Sequence, residues 1–159
     1  MFMKYFVLIF SIFSISYINA QSSDDCISNL SIFAEYYKVK NYESAYEPWM
    51  KVRKECPKIN AAIYSYGKRM LEHFIKSNDG DVKIAYQNDL ISLYDEWLIN
   101  FPSLRGRNII GEIISNKAQA MLDNNLASNS EIYNTFNSAY VQDRSCLLYT
   151  SPSPRDVVP

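Results

Sequence analysis

The sequence has very little histidine, the residue from which many catalytic and metal sites are built. It contains a single histidine, His73, among 159 residues, which excludes histidine-rich metal sites and argues against a serine–histidine–aspartate triad. It has neither a Walker loop nor the glycine signature of dinucleotide-binding folds. The stretch NDGD at 78–81 lacks the ligand frame of a calcium loop and is interpreted as a turn. We therefore predict no enzyme activity in this chain, no metal site and no cofactor.

The chain also has almost no net charge and little glycine. Sixteen basic and seventeen acidic residues give a formal net charge of −1, so the sequence offers no electrostatic case for a nucleic-acid partner. Only four glycines and six prolines are present, which favours long helices joined by short turns over a strand-rich fold. With 48% hydrophobic and 21% charged residues, the chain has the composition of a folded globular protein.

The first 20 residues have the pattern of a secretory signal peptide. Lys4 is followed by an apolar run from Tyr5 to Ile18 and by the small residue Ala20, in the order of a charged region, an apolar region and a cleavage site. An uncleaved membrane anchor is the alternative, because no charge occurs from Tyr5 to Ser23. Cleavage predicts an exported protein, periplasmic or extracellular, with no stable membrane span in the mature chain.

From Asp24 onward, apolar residues recur at steps of three and four, which predicts six helices. The breaks between them are KVKN, Pro57, KSNDGD, Pro102 and NNLASNS, with Ser128 or Ser130 as the cap of the sixth helix. Neighbouring amphipathic helices with short breaks pack as antiparallel hairpins. The pattern therefore predicts an all-α fold of three successive hairpins. The residues predicted on the apolar faces of these helices, which we call the apolar stripes, include Ile27, Leu122, Tyr133 and Tyr140.

The second helix resembles that of a tetratricopeptide repeat. This family places a tyrosine, a small residue, an aromatic residue, an apolar residue and a closing proline in order, here Tyr42, Ala45, Trp49, Val52 and Pro57. In the next unit, Gly67 supplies the small residue of the first helix, and the closing pattern is kept by Tyr94, Trp97 and Pro102. The resemblance implies repeat units at about 24–57, 59–102 and 106–142, stacked as a solenoid in an exported bacterial protein.

The sequence departs from the family pattern at several positions. Phe33 and Leu90 replace small residues, the second unit is longer than the family's, and the third lacks a closing proline. Pro48 is the largest departure, because proline inside a helix removes a hydrogen bond and clashes with the preceding turn at a cost of about 3 kcal/mol. We expect a bend between Ser44 and Pro48; a helix that starts near Pro48 is the alternative.

Cys26 and Cys56 are predicted to form a disulfide. Cys26 is near the start of the first helix and Cys56 is near the end of its antiparallel partner, so both lie at the same end of the hairpin. An exported chain meets oxidising conditions. Two separately buried thiols are the alternative.

The C-terminal segment differs in character from the rest of the chain. CLLYTSPSPRD, which starts at Cys146, resembles the translation of a transposon end and adapter used in sequencing libraries. We therefore interpret residues 145–159 as read-through and expect the natural gene to continue past Arg144, so Cys146 is not counted among the pairing cysteines. The alternative is a linker rich in proline and serine.

Together these features predict an exported repeat scaffold that mediates protein–protein interaction in the cell envelope. Stacked hairpins present a concave groove that can bind an extended peptide or a partner helix. We expect the aromatic side chains outside the core to line it together with Asn, Lys and Arg. Two alternatives stay open. The first is a binding module for glycan or peptidoglycan. The second is the N-terminal part of an enzyme whose catalytic domain lies beyond residue 144.

Overall fold

The structure is a computed structural model that describes residues 24–143. The predicted signal peptide and the tail at 145–159 lie outside the described residues. The fold is all-α, as predicted, with six helices: α1 over 24–38, α2 over Tyr42–Glu55, α3 over Ala62–Ser77, α4 over Gly80–Asn100, α5 over Ile110–Asp123 and α6 over Asn129–Gln142. The chain divides into two compact units, whose described parts are residues 24–63 and 64–143. We refer to them as unit 1 and unit 2.

Unit 1 contains the α1–α2 hairpin and the first residues of α3. A short turn with Lys40 at φ 59° reverses the chain after α1. The Asn41 side chain then caps α2 by accepting the Ser44 N–H at 3.2 Å. Because α2 begins at Tyr42 and continues through Pro48, the alternative of a helix that starts near Pro48 is wrong.

Four apolar residues of the predicted stripes do not belong to the core. Ile27 is 54% exposed, and Leu122, Tyr133 and Tyr140 are also exposed. At Ile27 the cause is local: the neighbouring Cys26 is buried and bonded to Cys56, and the next residue points about 100° away around the helix.

A short β-hairpin, which the apolar periodicity did not predict, connects α4 to α5. Strand β1, Ser103–Leu104, pairs antiparallel with β2, Arg107–Asn108. Arg105 and Gly106, which form the turn between them, have positive φ values of 51° and 78°, as the type I′ form of a two-residue hairpin turn requires. After this turn, the Asn108 side chain accepts the Ile110 N–H at 2.9 Å at the start of α5.

Helix α6 begins with a capping box, and Ser128 is its cap rather than Ser130. The Ser128 hydroxyl accepts the Glu131 N–H at 3.3 Å, and the Ser128 N–H donates to Glu131 Oε2 at 2.9 Å. Hydrogen bonds from the Ser128 side chain and then from its backbone lower the pKa of Glu131 below its usual value of 4.5.

We expect Ser128→Ala to destabilise the protein by about 1 kcal/mol at neutral pH. Because the pKa of Glu131 is lower in the folded state, its contribution is fully present above the unfolded pKa and is lost as the pH falls through the folded pKa. Urea unfolding at neutral and acidic pH should therefore show the cost of Ser128→Ala shrinking as Glu131 is protonated. Ser130→Ala, the matched control, should have little effect at either pH.

Gly111 lets α5 and α6 approach closely. A Cβ atom at this position would lie 2.9 Å from Asp143 Cβ and 3.1 Å from the Ala139 carbonyl oxygen. We expect Gly111→Ala to cost about 1–3 kcal/mol through overpacking, which outweighs the gain of about 0.5–1 kcal/mol from a less flexible unfolded chain. Urea unfolding measures this cost. If the close contact is the cause, Asp143→Gly should recover part of the loss in the double variant.

Candidate functional site

Three of the five predicted repeat residues of unit 1 lie in its core. Ala45, Trp49 and Val52 are buried, while Tyr42 and Pro57 are half-buried. The Trp49 Nε1–H donates to the Ile63 carbonyl oxygen at 2.8 Å, which links α2 to the first turn of α3. These residues stabilise the unit, and none of them lines the cleft of unit 2 described below.

The two predicted cysteines lie together in unit 1. The structure joins Cys26 of α1 to Cys56, the C-cap of α2, with their Cα atoms 6.1 Å apart. This separation is within the usual range for disulfides. The bond closes the end of the hairpin opposite its turn.

The predicted repeat residues of unit 2 have different environments. Gly67 and Tyr94 are buried, Trp97 is half-buried, and Pro102 is exposed just after the end of α4. The Trp97 ring stacks on Tyr64 of α3 with the ring centroids 6.0 Å apart. Its Nε1–H is buried without a hydrogen-bond acceptor among residues 24–143.

Unit 2 also contains a cleft, which is the candidate functional site. It has a volume of about 500 Å³ and is lined by α3, α4, α5 and the residues just after α5. Its lining is mainly polar: Lys68, Glu72, Lys76, Lys83, Gln87, Tyr94, Asn116, Gln119, Asp123, Asn124 and Asn125, with Ile75, Leu90 and Ala120. Tyr94 is the one predicted site residue that lines it.

Hydrogen bonds hold several of the lining side chains in place. Gln87 Nε2 of α4 donates to Asn124 Oδ1 at 3.1 Å, and this bond joins two walls of the cleft. Gln119 Nε2 donates to Asp123 Oδ1 at 2.7 Å. Asn116 Nδ2 donates to the Glu112 carbonyl oxygen at 2.8 Å. The side-chain oxygens of Asn116 and Gln119 can therefore still accept hydrogen bonds from a ligand.

Charge in the cleft is mixed. Lys68 and Glu72 form an ion pair at 3.6 Å on α3. Burial raises the pKa of Tyr94 well above its usual value of 10.0, and the carboxylates of Glu72 and Asp123 raise it further. The Tyr94 phenol is therefore neutral at physiological pH.

Comparison with known proteins identifies no relative: the chain matches no protein-family model, no curated protein and no solved structure. Within residues 24–143, no group of three or more His, Cys, Asp or Glu side chains could hold a metal ion. In the same part of the chain, no helix has both the length and the apolar character that a membrane crossing needs.

Proposed function

We propose that this protein is an exported repeat scaffold that binds an extended segment of a partner protein in the cleft of unit 2. The observation that carries the proposal is the lining of that cleft, in which amide side chains from two helices surround a concavity of about 500 Å³. The proposed site and function are argued from the residues of the cleft alone, because no known protein matches the chain.

The amide groups suit a polypeptide main chain. An extended peptide presents N–H and C=O groups every 3.3 Å or so, and each Asn or Gln side chain can both donate and accept. On α5, Asn116, Gln119 and Asp123 recur at steps of three and four, so they lie along one face over about 10 Å. That length corresponds to about three extended residues.

The same lining favours a peptide over a glycan. Sugar rings commonly stack on exposed aromatic side chains. Tyr94 is the single aromatic residue among those that line the cleft, and it is only 1% exposed. Its ring therefore offers no open face for stacking.

Two further features support an exported location. The N-terminal 20 residues have the pattern of a signal peptide, and the Cys26–Cys56 bond suits an oxidising compartment. The proposed setting is the cell envelope, where the scaffold would hold a partner protein.

Selection of short random peptides on the purified, oxidised protein tests this proposal. We expect binders whose affinity falls roughly tenfold or more, that is by about 1.4 kcal/mol or more, with Asn116→Trp, whose indole ring would obstruct part of the cleft. Ser92→Trp is the matched control, because Ser92 is exposed on α4 and does not line the cleft. The proposal fails if no peptide is selected or if both variants bind equally well. Retention on insoluble peptidoglycan without peptide binding would favour the glycan alternative.

A further inference from the structure

The cleft of unit 2 is lined by two lysines that have no partner among residues 24–143. Lys76 is in the last turn of α3, Lys83 is near the start of α4, and both line the cleft. Within the described part of the chain, neither side chain forms an ion pair or a hydrogen bond. Lys83 is half-buried, so water compensates its charge only in part. Both ammonium groups are therefore available to a ligand.

The two lysines lie at the same end of the cleft. The rings of Phe74 on α3 and Tyr86 on α4 stack with their centroids 4.9 Å apart. Lys76 comes two residues after Phe74, and Lys83 comes three residues before Tyr86. Each lysine is thus within one helical turn of the stacked pair.

Asn125 lies at this end as well. Gln87, one helical turn after Lys83 on α4, donates to Asn124 Oδ1 at 3.1 Å, and Asn125 is the next residue in the chain. The Asn125 side chain lines the cleft and forms no hydrogen bond within residues 24–143, so its amide can donate to a ligand. We refer to Lys76, Lys83 and Asn125 as the basic end of the cleft.

The acidic side chains of the cleft are engaged with other groups. Glu72 pairs with Lys68 at 3.6 Å, and Asp123 accepts a hydrogen bond at 2.7 Å from another lining side chain. Asp79 and Asp81 are close to the basic end in sequence, but both are exposed and neither lines the cleft. The basic end thus carries positive charge that the cleft itself does not pair.

We infer that the basic end selects partner segments that place a carboxylate there. This inference rests on the proposed function, peptide binding in the same cleft, and adds the chemistry of the bound segment. Two ammonium groups and an amide N–H suit a carboxylate, because its two oxygens accept several hydrogen bonds and those from a cation are the stronger ones. The carboxylate comes from an Asp or Glu side chain or from the C-terminus of the segment.

The basic end gives the cleft a sequence preference that its amide side chains do not. Asn116 and Gln119 can bond to the main chain of any peptide. A lysine or arginine placed at the basic end would instead face two like charges without a partner, which disfavours such segments. Charge therefore discriminates among partners, while the amides contribute affinity for the main chain.

Selection from synthetic random hexapeptides on the purified, oxidised protein tests this inference. We expect the selected peptides to be enriched in Asp or Glu, or to require a free C-terminus. Removing the carboxylate should weaken binding by about fivefold, the effect of one exposed ion pair, and added salt should reduce that difference. Loss on replacement of Asp by Asn, or of Glu by Gln, assigns the carboxylate to a side chain. Loss on C-terminal amidation assigns it to the chain end.

Variants of the protein identify the lysines as the cause. Lys76→Gln/Lys83→Gln should weaken binding of the acidic peptide by about fivefold, but should bind its uncharged counterpart as the unsubstituted protein does. Lys54→Gln/Lys58→Gln is the matched control, because it removes the same charge from two exposed residues that do not line the cleft. Lys76→Glu/Lys83→Glu should select peptides with Lys or Arg.

The outcomes separate this inference from the proposed function. If peptides bind without any preference for a carboxylate, the inference is wrong and the proposed function stands. The same holds if the acidic peptide binds Lys76→Gln/Lys83→Gln as tightly as it binds the control variant. If no peptide binds the unsubstituted protein, the proposed function fails and the inference fails with it.

Discussion

Reducing the Cys26–Cys56 bond should lower the free energy of unfolding of unit 1 by about 3–4 kcal/mol. The two residues are 30 positions apart, and a cross-link that closes a loop of this length removes about that much free energy from the unfolded chain. The described part of unit 1, residues 24–63, is close to the size of about 40 residues below which domains usually need such a cross-link. We therefore expect unit 1 to lose most of its helical structure on reduction.

Urea unfolding followed by circular dichroism, with and without a reducing agent, measures this effect. Cys26→Ala/Cys56→Ala is the matched control, because its unfolding should no longer respond to the reducing agent. Thiol labelling of the folded, oxidised chain provides an independent check. Neither Cys26 nor Cys56 should react, because the two are bonded to each other. Labelling of either residue, or equal stability under both conditions, would contradict the pairing.

Much of the helical architecture could be predicted because its signals are local. In α2, Ala45, Trp49 and Val52 recur at steps of three and four and are all buried. The β-hairpin after α4 escaped prediction because it depends on positive φ values at Arg105 and Gly106. Arginine carries no strong preference for that conformation.

The exposed positions of the predicted stripes have a different cause. Apolar spacing marks which side of a helix is apolar, but it does not show whether a neighbour covers that side. Ile27 is exposed because the buried Cys26 sets the rotation of α1. On α6, Tyr133 is 70% exposed although its neighbour Ile132 is buried.

The sequence predicted a binding groove only in general terms and did not assign residues to this cleft. Its walls come from three helices, and Gln87 meets Asn124 across 37 positions in the sequence. No local pattern links two such residues. The spacing of Asn116, Gln119 and Asp123 on one face of α5 was the available signal, but polar residues at this spacing usually mark a solvated helix face.

We expect Trp49→Ala to destabilise the protein by about 3–5 kcal/mol, the usual cost of truncating a large buried aromatic residue. Trp49 has no exposed surface, its ring lies 5.6 Å from that of Tyr46, and the Arg53 guanidinium lies 5.0 Å from its centroid. The substitution removes all of these contacts and the hydrogen bond to the Ile63 carbonyl. Urea unfolding under oxidising conditions measures the loss while the disulfide remains intact.

Two variants separate the packing of Trp49 from its hydrogen bond. Trp49→Phe keeps an aromatic ring but removes the N–H, so it should cost less than Trp49→Ala; the hydrogen bond itself accounts for about 1 kcal/mol. Tyr36→Ala removes an exposed aromatic ring from α1 and should cost little. If Trp49→Ala cost no more than Tyr36→Ala, Trp49 could not be the core residue that joins α2 to the start of α3. The tetratricopeptide-like interpretation of unit 1 would then lose its main support, because the aromatic position of the repeat pattern would carry no packing energy.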